Sequence, residues 1–135
     1  MVCIYCSSKT NVTNSRPQKR LLQVWRRRHC TSCGALFTTN EAVDLSTSLV
    51  VRRDNGPVTP FSRDKLFVSI LRATGHRNEP IQDAGALTAT ITAKLLHSTT
   101  TAVISPADIV KTTLEALNRF DKAAAVQYGA YHREK

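Results

Sequence analysis

Apolar residues are laid out along this chain in two different ways. Up to about residue 46 they occur in short alternating pieces: Val12 before Asn14-Ser15, Leu22-x-Val24, and Leu36-Phe37. Period-two fragments of this length predict short antiparallel strands. Thr38-Thr39-Asn40-Glu41 marks the end of this part, with a linker to about Thr47. From residue 49 the pattern changes. Leu49-Val50-Val51-Arg52-Arg53 predicts a strand, Asp54-Asn55-Gly56-Pro57 a turn, and Val58-Thr59 the return strand of a β-hairpin. Then the apolar spacing becomes helical. Ser62 is placed to cap a helix with its apolar face at Leu66, Phe67, Ile70 and Leu71, ending near Gly75. Ala84, Leu87, Ile91 and Leu95 repeat at helical spacing after Pro80. Ser105-Pro106-Ala107-Asp108 combines a cap, a first-turn proline and a third-position acid ahead of Ile109, Val110, Leu114 and Leu117. A last helix is expected from Asp121 through Tyr131, and Thr99-Thr100-Thr101 reads as a polar loop. The aliphatic stripes are expected to form the core. The fold class is therefore α+β in two small domains, residues 1–46 and residues 49–135.

The first of these is too small to fold by hydrophobic burial alone. It holds instead the chain's four cysteines, as Cys3-x-x-Cys6 and Cys30-x-x-Cys33. Two such pairs at this separation are the sequence form of a tetrahedral four-thiolate zinc site, so short strands and metal together predict a zinc ribbon. Disulfides would need a secretory route, and Cys3 and Cys6 sit where a signal peptide would be. Iron in a rubredoxin-like site is the other metal reading, but it gives no role to the neighbouring arginines. Four thiolates close the coordination sphere, so one structural Zn2+ and no metal catalysis is expected. His29, beside Cys30, reads as a phosphate contact or a support for the site rather than a fifth ligand.

The 135 residues carry a formal net charge of +9, with 41% hydrophobic and 6% aromatic residues. Four zinc-bound thiolates would reduce that charge to about +7, still strongly basic. A basic balance favours an anionic partner. No apolar run approaches the roughly 18 residues of a spanning helix, which argues against a membrane and for the cytoplasm. Between the cysteine pairs there is no acidic residue, while Arg16 and the run Arg26-Arg27-Arg28 lie there. Guanidinium groups fork onto phosphates and guanine edges, so Arg16, Arg26, Arg27, Arg28 and His29 are candidate DNA contacts. In an extended segment Arg26 and Arg28 share one face, and Arg27 shares the other with Trp25. Trp25 reads equally as a ribbon-core residue or as a stacking surface for a base. A solvated basic loop is the other account of the arginines, but a zinc clamp beside them would fix side-chain directions and favours the contact reading.

A second cluster joins the basic pair Arg52-Arg53 and Asp54-Asn55-Gly56 to Pro60-Phe61 and Lys65. A glycine turn lets backbone approach a ligand, and Lys65 adds charge at a helix N-terminus, where anions are favoured. It matches neither a Walker loop nor a dinucleotide fingerprint. A basic hairpin with ordinary capping explains it equally well.

Taken together, the chain resembles the NrdR family, the bacterial transcriptional repressors of ribonucleotide reductase genes, which join a four-cysteine zinc ribbon to an ATP-cone domain. The matching stretches are Cys3-Ile4-Tyr5-Cys6, Thr13-Asn14-Ser15-Arg16, Arg26 through Cys33, Phe37 through Glu41, Val50 through Gly56, and Pro60 through Lys65. Leu117 through Asp121 and Gln127 through Tyr131 fit less closely. The resemblance implies a mainly helical ATP-cone after the ribbon. There Val51, Arg52, Arg53, Asp54, Asn55, Gly56 and Phe61 would surround ATP or dATP, and Lys65 would meet its phosphates. It implies homo-oligomers rearranged by the nucleotide, operator repeats in double-stranded DNA as the target, and a cytoplasmic, nucleoid-associated location. Ile4, Asn14, Arg52 and Thr59 stand where the family usually has proline, aspartate, lysine and an acidic residue, and Ala125 and His132 replace tyrosines. No paired carboxylates near a histidine and no nucleophile elbow occur, so no enzyme is expected. The alternatives are a zinc-ribbon RNA-binding protein and a nucleotide-binding module of a reductase-associated enzyme.

Overall fold

The computed structural model describes residues 1–133; residues 134 and 135, the last of the expected second domain, lie outside the described residues. The chain forms two compact units, one spanning Met1–Val43 and the other beginning at Asp44. The expected α+β class holds, with antiparallel strands first and helices after.

The first unit is a three-stranded sheet in the order β1-β2-β3, with β1 at Thr10–Gln18, β2 at Gln23–Cys30 and β3 at Leu36–Ala42. Both pairings are antiparallel. Leu22, expected within a strand, instead sits in the turn before β2 with φ 52°, so the strand begins one residue later. Thr38-Thr39-Asn40-Glu41, expected to end the unit, lies inside β3, where Asn40 pairs with Trp25 and Thr38 with Arg27. Strand pairing satisfies the backbone of these polar residues, which the alternation of apolar positions did not reveal. Only Cys3 and Cys30 are buried in this unit, and none of its residues joins the hydrophobic core.

The second unit opens where a linker was expected. Asp44 caps a short helix, α1 at Leu45–Ser48, its carboxylate accepting from the Ser46 N–H. The hairpin strands β4, Val50–Arg52, and β5, Val58–Pro60, pair as expected, but a third strand lies beside β4. This is β6, Val103–Ile104, parallel to β4 and just past the polar threonine loop. Two residues are too few to show alternation; the pairing is fixed by tertiary contacts, including the Val50 N–H to Ala102 C=O bond of 2.9 Å.

Helices α2, Arg63–Ala73, and α3, Pro80–Ser98, form the crossover from β4 to β6. Helices α4, Pro106–Phe120, and α5, Lys122–Tyr131, follow. Ser62 caps α2 through the Lys65 N–H, and Ser105 and Asp108 form the reciprocal capping box of α4. Asp121 ends α4 and caps α5, its carboxylate accepting from the Ala123 and Ala124 N–H groups. One buried cluster unites these elements, with Leu49, Ile70, Ile91, Leu95, Leu117 and Tyr128 at its centre. Each such large apolar side chain contributes about 1.5–3 kcal/mol by leaving water. Ala125 belongs to this cluster, and His132 stacks on Tyr128 at 4.2 Å while bonding the Ser69 hydroxyl at 2.7 Å. No helix among the described residues is long and apolar enough to cross a membrane.

Candidate metal centre and nucleic-acid interface

The two cysteine pairs fold into the same turn twice. In the first, the Ser7 N–H donates to the Cys3 C=O at 3.0 Å and the Cys3 N–H to the Ser8 C=O at 2.8 Å. In the second, the Gly34 N–H donates to the Cys30 C=O and the Cys30 N–H to the Ala35 C=O, both at 2.9 Å. Each turn closes through a left-handed residue, Ser7 at φ 60° and Gly34 at φ 73°. Facing one another, the turns bring Cys3 Sγ to 3.6 Å from Cys33 Sγ and Cys6 Sγ to 3.5 Å from Cys30 Sγ. All four sulfurs lie within 4.8 Å of one another.

Four thiolates around zinc at about 2.3 Å make a tetrahedron with edges of about 3.8 Å, so the donor set fits Zn2+ in type and size. Electrostatics agrees. The Ser8 hydroxyl and N–H lower the Cys6 thiol to about 6. The Ala35 N–H also pulls Cys33 down, but neighbouring Cys6 and Cys30 push it up to about 12. Thiols this close do not all ionise unless a cation joins them. His29 is not part of the cluster.

β2 hangs from this centre by Cys30, its one buried residue. Strand alternation and register divide the arginines between two faces. Arg26 pairs with Glu41, and Arg28 donates to the Thr39 and Thr10 hydroxyls at 3.3 and 3.4 Å. That face also carries half-buried Phe37 and Thr39. Arg27 is exposed on the other face with Trp25 and His29, and no carboxylate pairs with it among the described residues. Arg16 joins this second face because Thr13 is an extra residue in β1: Val12 pairs with Arg28, but Asn14 pairs with Arg27 and Arg16 with Trp25. The arginine triplet was legible in the sequence; the bulge that sorts Arg16 was not.

In the second unit Arg52, Arg53, Asp54, Asn55 and Gly56 are exposed at the β4–β5 turn, and Lys65 is exposed in the first turn of α2. Val51 is half-buried against the core. Phe61 is only 3% exposed and lies within the core, its N–H bonded to the Leu49 C=O.

An open cleft of about 490 Å³ occurs elsewhere, lined by His76, Arg77, Asn78, Glu79, Asp83 and Asp121. Arg77 bridges Asp83 at 2.5 Å and Asp121 at 2.9 Å, and His76 meets Asp121 at 2.9 Å. Arg77 also lies over the Phe120 ring at 4.4 Å. Sequence reasoning missed this network because Asp121 lies 45 and 44 residues from His76 and Arg77, and the group carries no motif.

Residues 1–41 match the family model described as "Transcriptional repressor NrdR-like, N-terminal domain". The chain is 36% identical over 134 residues to the transcriptional repressor NrdR of Symbiobacterium thermophilum, covering 99% of this chain and 88% of the relative. It is 39% identical over 135 residues to that of a Chelativorans species, covering 98% and 86%. The Hyphomonas neptunium protein of the same name is 38% identical over 135 residues, covering 99% and 84%.

Proposed function

The chain belongs to the NrdR family of transcriptional repressors, and from that premise we propose that it is a zinc-dependent, nucleotide-sensing repressor of ribonucleotide reductase genes. Zn2+ on Cys3, Cys6, Cys30 and Cys33 holds β2 in shape and takes no part in a reaction. The arginine-bearing strands bind operator repeats in double-stranded DNA. Residues 49–135 bind ATP or dATP, with Arg52 through Gly56 around the nucleotide and Lys65 on its phosphates. Nucleotide binding selects among homo-oligomers, and only some of these present two ribbons to paired DNA sites. Two weak contacts joined in one assembly bind far more tightly than either alone. Such a shift requires the favoured nucleotide to bind one assembly better than another. The chain works in the cytoplasm at the nucleoid and turns over no substrate.

The observation that carries this reading is one short chain holding two features. One is a four-sulfur cluster tied to an arginine strand. The other is an exposed basic turn ahead of a helix whose first turn presents Lys65. The test is operator binding and native mass of the zinc-loaded chain with ATP, with dATP and without nucleotide. The expected result is a change of assembly and of DNA affinity with the nucleotide, while Lys65→Ala loses nucleotide affinity. Identical behaviour in all three conditions overturns the sensing mechanism, and an unaltered nucleotide affinity in Lys65→Ala overturns the pocket.

A further inference from the structure

Trp25, the chain's single tryptophan, has no place in the repressor function outlined above. It is half-buried in the middle of β2 and is not part of the core. Its cross-strand neighbours are Arg16 on β1 and Asn40 on β3, and Arg27 follows on the same face two residues later. Asn14 stands opposite Arg27. Arg16, Arg27 and Asn40 are all exposed. The first unit's one acidic residue, Glu41, belongs to the other face and is paired with Arg26 there. So one side of the sheet is satisfied from within. The other presents Arg16 and Arg27, which pair with no carboxylate among the described residues, and the Asn14 and Asn40 amides around an indole.

The bulge creates this arrangement. In an unbroken register Arg16 would share the face of Arg26 and Arg28, because each one-residue slip turns a strand over. The Thr13 hydroxyl donates to the Arg27 C=O at 3.3 Å and fastens the extra residue in place. The backbone thus spends one residue to put Arg16 beside Trp25.

Resting on the DNA-binding function proposed above, we infer that the ribbon meets duplex DNA with this face alone. Trp25 makes the apolar contact to base edges, and Thr13 is the positioning residue that brings Arg16 alongside it. Free arginines supply attraction to phosphates without regard to sequence. Amides and an apolar surface read base edges and the thymine methyl group. Trp25 therefore sets sequence preference, Arg16 and Arg27 set affinity, and Arg26 and Arg28 hold the sheet together.

Because Trp25 is the only tryptophan, its emission reports the contact directly. The zinc-loaded chain is titrated with a duplex from upstream of the ribonucleotide reductase genes, with an unrelated duplex of equal length, and with single-stranded RNA. Binding of either duplex is expected to quench or shift the emission. Arg16→Gln and Arg27→Gln should each weaken both duplexes about tenfold and lower the salt slope by about one. Trp25→Ala should erase the preference for the upstream duplex while nearly keeping the affinity for the unrelated one, and Trp25→Phe should restore part of the preference. Deleting Thr13 should resemble Arg16→Gln, and Arg26→Gln should leave the salt slope alone. Zinc content checks that each variant is folded; if the deletion does not fold, the Arg27 and Trp25 variants carry the test. Unchanged emission at saturating duplex overturns the one-face assignment, as does an Arg26→Gln slope change equal to that of Arg27→Gln. Tighter binding of RNA overturns the choice of partner. Failure of the unaltered chain to bind either duplex overturns the DNA-binding function itself.

Discussion

Ser7 and Gly34 hold the same place in the two cysteine turns, each left-handed and each donating its N–H back to a cysteine carbonyl. The left-handed region costs a residue with a Cβ about 1–2 kcal/mol, and glycine avoids that cost. A Cβ on Gly34 would meet nothing within 4 Å, so Gly34→Ala tests strain without a clash. Its zinc affinity should fall about tenfold, the equivalent of about 1.4 kcal/mol, in competition with a chromogenic chelator. An unchanged affinity would mean that the turn relaxes freely. The ligands themselves were legible in the sequence because metal chemistry fixes residue type and spacing together. Nothing comparable marks Thr13. A bulge is one extra residue with no composition of its own, so the face on which Arg16 stands became visible only with the strand register.

Among the elements, α4 and α5 are joined along the chain by a single residue. Asp121, the C-cap of α4, caps α5 and receives His76 and Arg77 from the segment between α2 and α3. The His76 hydrogen bond, then the Ala124 N–H and Arg77, hold its carboxyl well below the usual carboxylate range. A lowered carboxyl pKa stabilises the fold fully above the unfolded value of about 3.9, and that stabilisation is lost as pH falls below it. The melting temperature of the helical signal should therefore drop steeply below about pH 4. Asp121→Asn retains a capping oxygen but loses the charge. Its melting temperature should be several degrees lower at pH 7, and its decline in acid shallower. Parallel acid profiles for the two proteins would remove Asp121 from this role. The helices were legible because capping residues and apolar spacing agree for each of them. α1 and β6 were not, since neither is long enough to show a period. Phe61 was legible as part of a motif, but its place in the core depends on helices that come later in the chain.

At the scale of the whole molecule, the two units are held by different forces. The second buries Ile70, Ile91 and Leu117 completely in a single apolar cluster. The first buries only two cysteines and contributes nothing to that cluster. Its folding free energy must come largely from metal binding, as in other small metal-stapled domains. Chelation of the zinc-loaded chain should unfold residues 1–43 and move Trp25 emission to the red. The helical circular dichroism of the second unit should survive, with its melting temperature close to that of the untreated chain. Ile91→Ala should do the reverse, costing the helical transition about 2–5 kcal/mol while zinc content stays at one per chain. The pair of perturbations matters more than either alone, because a chain stabilised by one continuous core would respond to both in a single transition. Loss of the helical signal together with the metal would show that the second unit depends on the first. The proposed sensor would then need its ribbon folded before it could bind nucleotide. Separate responses would leave the second unit able to fold in metal-starved cells, and free to load nucleotide as proposed, while the ribbon stays unfolded.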